Sequence, residues 1–221
     1  MILNKNGETF DYEGKKYTVG EFIYVNENSD YAGLFGVIKE IRDGEDKDTD
    51  NDTPDIYCSF ENPVMPYDIR RVEDRFSTLY GEKKTIDDLA LDEVIMAPEE
   101  ISVVHTHETQ TNNSKVFLLI EDWATDDDEG ENIEVYSSRE EALLNLRLKV
   151  REEYESGLIA MWLTNANDNE ENEKDEDDEG DDFDGDIVID SNAYSYEAYL
   201  KGFYCSSHYS VSIQEKSIYG G

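Results

Sequence analysis

The sequence predicts an α+β fold in two halves. Three observations carry this: short strands separated by turn signals fill the first sixty residues, one capped amphipathic helix stands out at 138–155, and the last thirty residues alternate polar and apolar positions. The N-terminal half is expected to form a small bent β-sheet or an SH3-like barrel. The C-terminal half is expected to form an antiparallel sheet with one packed amphipathic helix.

The first strands are Glu8–Tyr12 and Lys16–Val19, joined by Glu13-Gly14-Lys15 as a hairpin turn. Phe22–Val25 and Leu34–Ile41 follow, with Gly36 marking a bulge or bend. Asp43–Asp55 is an acidic loop with seven acids and one Lys, after which Ile56–Phe60 returns as a strand. Pro63 and Pro66 end the run, and Ile69, Val72, Phe76 and Leu79 then repeat at helical spacing over Tyr67–Tyr80. Ile101–Val104 is the last strand of a β-rich domain spanning 1–108. The polar stretch at 109–114 separates it from a second domain, 115–221.

In that domain Lys115–Ile120, apolar without a break from Val116, has the length of a buried strand, and Asp126–Gly130 turns it back into Ile133–Tyr136. Ser137 and Ser138 each precede a Glu by three residues, Glu140 and Glu141, which is a capping-box spacing. Leu143, Leu146, Val150 and Tyr154 then form an apolar stripe that stops before Gly157, and Ile159–Leu163 reads as a strand. Residues 165–186 are an acidic low-complexity loop. Ile187–Ile189 resumes structure, and a Tyr-rich tail follows as antiparallel strands turning near Lys201-Gly202.

Twenty-five aromatic residues, fifteen of them Tyr, and 38% hydrophobic residues exclude a wholly disordered acid. Fifty-five acids against nineteen bases give a net charge of −36. Asp168–Asp186 holds thirteen acids and one Lys, so −24 remains on the other residues. Such a surface repels nucleic acid and anionic membranes and attracts basic proteins. No stretch has the apolar length of a membrane span, and Met1–Lys5 does not open a signal peptide, so a cytoplasmic location is expected. Cys58 and Cys205 form no CxxC, which fits a reducing compartment.

The layout from Asp30-Tyr31-Ala32-Gly33-Leu34-Phe35-Gly36-Val37-Ile38 through Pro54-Asp55-Ile56-Tyr57-Cys58 to Val94-Ile95-Met96-Ala97-Pro98-Glu99 resembles uncharacterised acidic accessory proteins of bacterial phages and other mobile elements. The resemblance covers residues 20–100 and carries no known site. It implies phage or plasmid biology, including inhibition of a host defence nuclease.

Catalytic signatures are sparse, and no phosphate-binding glycine loop, nucleophile elbow or HExxH is present. His105 and His107 share one strand face and, with His208 or Cys205, form the best zinc candidate, but two His without a third spaced ligand are a weak signal and read more simply as ordinary polar residues at a strand end. Asp55 with Glu82-Lys83-Lys84 imitates a Mg²⁺-dependent nuclease, but Glu82 follows Gly81 in a turn. Asp175–Asp186 imitates an EF-hand loop with Gly180 in sixth place, yet lacks the terminal Glu and the preceding apolar helix. No cofactor is called for.

The acidic surface is the remaining constellation. Asp126, Asp127, Asp128 and Glu129 in the turn, Glu134 beside it, and Glu140, Glu141, Glu152, Glu153 and Glu155 on the helix are the candidate partner-binding residues. Duplex DNA carries one negative charge per about 1.7 Å of axis, so carboxylates on ordered elements can imitate its charge row. The expected partner is a basic nucleic-acid-binding protein, with no direct contact to nucleic acid or membrane. A non-mimic adaptor of a mobile element is the alternative, and a metal-dependent nuclease ranks last. The charge far exceeds the magnitude of roughly 2–8 that keeps a small domain soluble, and a strongly acidic proteome or a general need for solubility is the plain alternative to a specific partner.

Overall fold

The computed structural model describes residues 1–104, 115–125, 128–163, 186–201 and 207–217. Its contacts divide the chain into two compact units, Met1–Thr109 and Gln110–Gly221. Both are α+β, with antiparallel sheets.

The first unit holds β1 (Ile2–Leu3), β2 (Thr9–Tyr12), β3 (Lys15–Thr18), β4 (Phe22–Val25), β5 (Phe35–Arg42), β6 (Asp55–Phe60), α1 (Pro66–Tyr80), β7 (Val94–Met96) and β8 (Ile101–Val103). Glu13 and Gly14 join β2 to β3 with φ of 48° and 77°, the left-handed pair that matches the twist of a two-residue hairpin. The main sheet runs β7-β6-β5-β4-β8, with β1 added to β5. Its register shifts between Ile38 and Glu40, and such a bulge bends a strand. Gly36, the expected bulge, instead makes room for packing: a Cβ there would come within 2.5 Å of the Phe60 ring.

Ile23, Val25, Ile38, Ile41, Ile56 and Ile101 are fully buried between this sheet and its cover. From α1, Val72 and Phe76 join them, and Phe76 meets Tyr31 edge-on at 4.9 Å. Pro66 opens α1 at its first turn and Gly81 closes it at φ 70°. Leu79, expected on the buried stripe, lies in the last turn and is exposed.

The second unit holds β9 (Lys115–Ala124), β10 (Glu129–Tyr136), α2 (Arg139–Ser156), β11 (Asp186–Asn192), β12 (Ser195–Lys201) and β13 (His208–Ser217). The sheet order is β10-β9-β13-β12-β11, so the last strand sits at the centre beside the first, paired from His208↔Ala124 to Ser217↔Lys115. Ser138 caps α2 by accepting the Glu141 N–H at 3.1 Å. The helix lies on β13, β9 and β10. It buries Leu143, Leu146 and Val150 against Leu119, Tyr196, Ala198, Tyr209 and Val211, which cross-strand pairing places on one face.

Residues 159–163 do not form the expected strand. The chain bends at Gly157 and continues helically over 158–163, burying Ile159 and Trp162 while exposing Met161 and Leu163. Gly157 is a bend and not an end because the Glu153 carboxylate turns back to accept the Leu158 N–H at 2.8 Å. An amide orphaned by the break is thereby satisfied.

The polar boundary at 109–114, His105, His107, Cys205, the acidic tract through residue 185 with its EF-hand imitation, and the turn at Gly202 lie outside the described residues.

Candidate acidic interface

Eight of the ten candidates lie among the described residues, and they differ in how far they are engaged. Glu134 faces the helix, where Lys149 meets it at 3.1 Å and Asn132 donates at 3.2 Å. The Tyr136 hydroxyl also donates to it, and this bond, with the nearby ammonium, holds Glu134 below the usual carboxylate range despite burial. Lys149 bridges further to Glu121 at 2.7 Å, and Tyr209 donates to Glu121 at 3.0 Å. Glu153 is half-buried and holds Leu158. Burial pushes its carboxyl up, and the two backbone bonds from Leu158 and Ile159 only partly offset this. Glu134 and Glu121 thus tie the helix to the sheet through Lys149, while Glu153 ties the helix to the segment beyond Gly157.

Of the other described candidates, Glu140 and Glu141 are half-buried and the rest are exposed. Glu140 and Glu141 sit in the first turn of α2, where the helix dipole favours negative charge, and Glu141 makes further polar contact there. Glu152 and Glu155 are exposed one turn apart near its end. Asp128 and Glu129 are exposed at the start of β10, in a turn closed by Thr125 N–H to the Asp128 carbonyl at 2.7 Å. Gly130 follows because a Cβ there would come within 2.2 Å of the Trp123 ring. Asp126 and Asp127 lie outside the described residues. The helix sequence itself carries five acids and four bases, Arg139, Arg147, Lys149 and Arg151, so α2 is not a continuous carboxylate row.

The first unit builds a more ordered acidic surface, and none of the candidates lies on it. Residues 1–109 hold 26 acids and 11 bases, a balance of −15. Within the 43–55 loop the Asp55 carboxylate is buried at 1% exposure and accepts the Asp48 and Thr49 N–H groups at 2.8 and 2.9 Å, together with the Thr49 hydroxyl. Burial raises its carboxyl, but these bonds outweigh it and leave the group below its usual range. Lys47 donates to the Thr53 carbonyl at 2.9 Å and to that of Asn51. Arg42 lies 4.5 Å over the Tyr57 ring and reaches Asp48 at 2.7 Å. Burial, then the hydrogen bond to Asp48, pushes the Tyr57 hydroxyl up to about 12. The N-terminal amine holds the Asp43 carbonyl at 2.7 Å and the Asp46 carboxylate.

This frame leaves Glu45, Asp46, Asp48, Asp50 and Asp52 exposed. Partial burial raises the Tyr12 hydroxyl, and so do Glu13, Glu99, Asp43 and Asp52, in that order. The sequence carries a signal for this surface: Asp46, Asp48, Asp50 and Asp52 alternate, with Thr49, Thr53 and Pro54 supplying turn chemistry.

Of the catalytic imitations, Asp55, Glu82 and His208 lie among the described residues. Asp55 spends its oxygens on its own loop, and Glu82 is an exposed turn residue paired with Lys84 at 2.7 Å. His208 pairs with Asp122. Among the described residues no group of three or more His, Cys, Asp or Glu is placed to hold a metal ion. Burial pushes the Cys58 thiol up to about 12, away from the reactive thiolate. Among the described residues no helix is long and apolar enough to cross a membrane. Compared with protein-family models, with curated proteins and with solved structures, the chain matches none.

Proposed function

We propose that the chain is a noncatalytic acidic binder that captures a basic nucleic-acid-handling protein by occupying the surface this partner uses for DNA or RNA. The observation that carries the reading is the 43–55 loop, whose exposed carboxylates stand on a frame built by Asp55, Lys47, Arg42 and the N-terminal amine. Charges already fixed in place lose little freedom on binding, and a field of one sign speeds encounter with a basic groove. Phosphate contact is repulsive for the same charge, so the chain competes with nucleic acid and does not bind it. The resemblance over residues 20–100 supports the narrower reading that the partner is a host defence nuclease. The test is capture of a basic protein from nuclease-treated bacterial lysate, followed by a mobility-shift assay. The captured protein should lose its DNA or RNA as the chain is added, and the chain alone should shift neither. A partner that keeps its nucleic acid when bound would make the chain an adaptor, and tight binding of DNA by the chain itself would end both readings.

A further inference from the structure

We propose that the face of the five-stranded sheet opposite α2, which no described element of the second unit covers, docks a basic amphipathic helix of the captured protein. The inference rests on the reading that this protein is basic, and it adds a surface and a mode of docking.

A sheet with one face in water alternates apolar and polar residues. β9 does not: Val116–Ile120 is apolar without a break, the pattern of a strand covered on both sides. α2 covers the side of Leu119, which is 1% exposed. Val116, Leu118 and Ile120 face the other way. Pairing of Ile120 with Ile133 and of Leu118 with Val135 extends this strip onto β10, where Ile133 is 50% and Val135 63% exposed. Five residues along a strand span about 13 Å, and two strands with their side chains are about 10 Å wide. That is the footprint of two to three turns of a helix about 10 Å across.

Charge decides what covers it. Immediately beyond the strip, one cross-strand row runs Glu131, Asp122, Ser210, Glu197, Asp190 across all five strands. Glu131 stands directly opposite Asp122, and Glu197 directly opposite Asp190, and like charges in that position destabilise a sheet. Among the described side chains of this face Lys216 is the one lysine or arginine, while His208 pairs with Asp122. An apolar strip bordered by self-repelling carboxylates complements a helix with an apolar side and Lys or Arg at its end. A second copy of the chain would bring the same row and a further −36.

The probe is a labelled peptide of about 14 residues, roughly four turns, with Leu and Lys at helical spacing. A Lys/Ser peptide of equal charge and a Leu/Glu peptide serve as controls, read by fluorescence anisotropy at about 0.05 and about 0.3 M salt. The Leu/Lys peptide should bind, more weakly at high salt, and at least tenfold more weakly to Ile133→Ser/Val135→Ser and to Glu131→Gln/Glu197→Gln. The Lys/Ser peptide should bind less well and ignore the first pair, and the Leu/Glu peptide should not bind. Val135→Ser alone repeats the test if the double variant unfolds. Equal binding of the two Lys peptides, unchanged in both variants, would overturn the docking face and leave the basic-partner reading standing. Failure of both Lys peptides at low salt would overturn that reading as well. Dimerisation of the unsubstituted chain that Ile133→Ser/Val135→Ser abolishes would assign the strip to a second copy and overturn the proposal.

Discussion

In the first unit Asp55 is buried and accepts two backbone N–H groups and a hydroxyl, whereas in the second Glu153 is half-buried, accepts backbone N–H groups and has other glutamates nearby. The two carboxylates respond in opposite directions, one held below its usual range and one pushed above it. Burial acts against the charged form in both cases. The difference lies in the neighbours, since Asp55 has its hydrogen bonds and Lys47, while Glu153 feels Glu121 and Glu152. A like contrast holds between the 43–55 loop and α2: the loop fixes its acids on a frame and presents them, and the helix matches its five acids with four Arg and Lys.

Removing the frame is expected to have the largest effect. Asp55→Ala leaves the Asp48 and Thr49 amides without their acceptor, and bonds to a charged group are worth roughly 1.5–3 kcal/mol each, less where water replaces them. A loss of about 2–3 kcal/mol is expected, with hydrogen exchange at those two amides faster than at β5. Unchanged protection there would mean that the loop does not depend on Asp55.

The corresponding test in the second unit is Ser138→Ala, which removes the acceptor of the Glu141 amide. It should cost about 1 kcal/mol. Trp123 and Trp162 are the chain's two tryptophans and both lie in this unit, so the fluorescence transition in urea reports on it directly. A shift equal to that of Asp55→Ala would erase the contrast between a cap and a frame.

How much of this was legible varies with the range of the interaction. The β2–β3 turn and the Ser138 cap were readable because each is set by residues within four positions of one another. The strand expected at 159–163 failed because Gly157 reads as a terminator, while the group that restarts the helix, Glu153, lies upstream and within the same turn. Glu134 looked outward in sequence, yet Lys149, fifteen residues on, draws it inside, and no local spacing announces that pair. The acidic loop was visible as composition, but its frame depends on which single carboxylate is buried. The unbroken β9 run announced cover on both faces, and the described fold supplies it on one.

Gly157→Ala tests the bend. A Cβ at that position would come within 2.3 Å of the Glu153 carboxylate, so Glu153 must release Leu158 to make room. Gly157 is extended at φ −93° and ψ −159°, so the gain from Ala is the reduced freedom of the unfolded chain, about 0.4–1 kcal/mol; it is offset by the lost acceptor, about 0.5–1.5 kcal/mol, and little net change in stability is expected. Glu153 should instead lose its upward shift, which a carboxyl titration by NMR would detect. An unaltered titration would show that the carboxylate is not held by this contact.

The smallest expected effect is on stability against pH, and it has opposite signs at the two carboxylates. Asp55 has a folded pKa below its unfolded value, so its stabilisation is complete above the unfolded value of about 3.9 and is lost as pH falls through the folded one. Glu153 has a folded pKa above its unfolded value, so the native state takes up its proton first as pH falls and gains stability from it. Glu153→Gln keeps an acceptor for Leu158 and removes the charge, and should therefore stabilise the second unit near neutral pH. The gain is expected to be a few tenths of a kcal/mol, the scale of changes at partly exposed sites, and to vanish below the pH at which Glu153 itself is protonated. Tryptophan-detected urea unfolding of both proteins at a series of pH values reads this directly. A destabilised Glu153→Gln at neutral pH would show that the carboxylate's hydrogen bonds to Leu158 and Ile159 outweigh its burial after all, which would place it on the same side as Asp55.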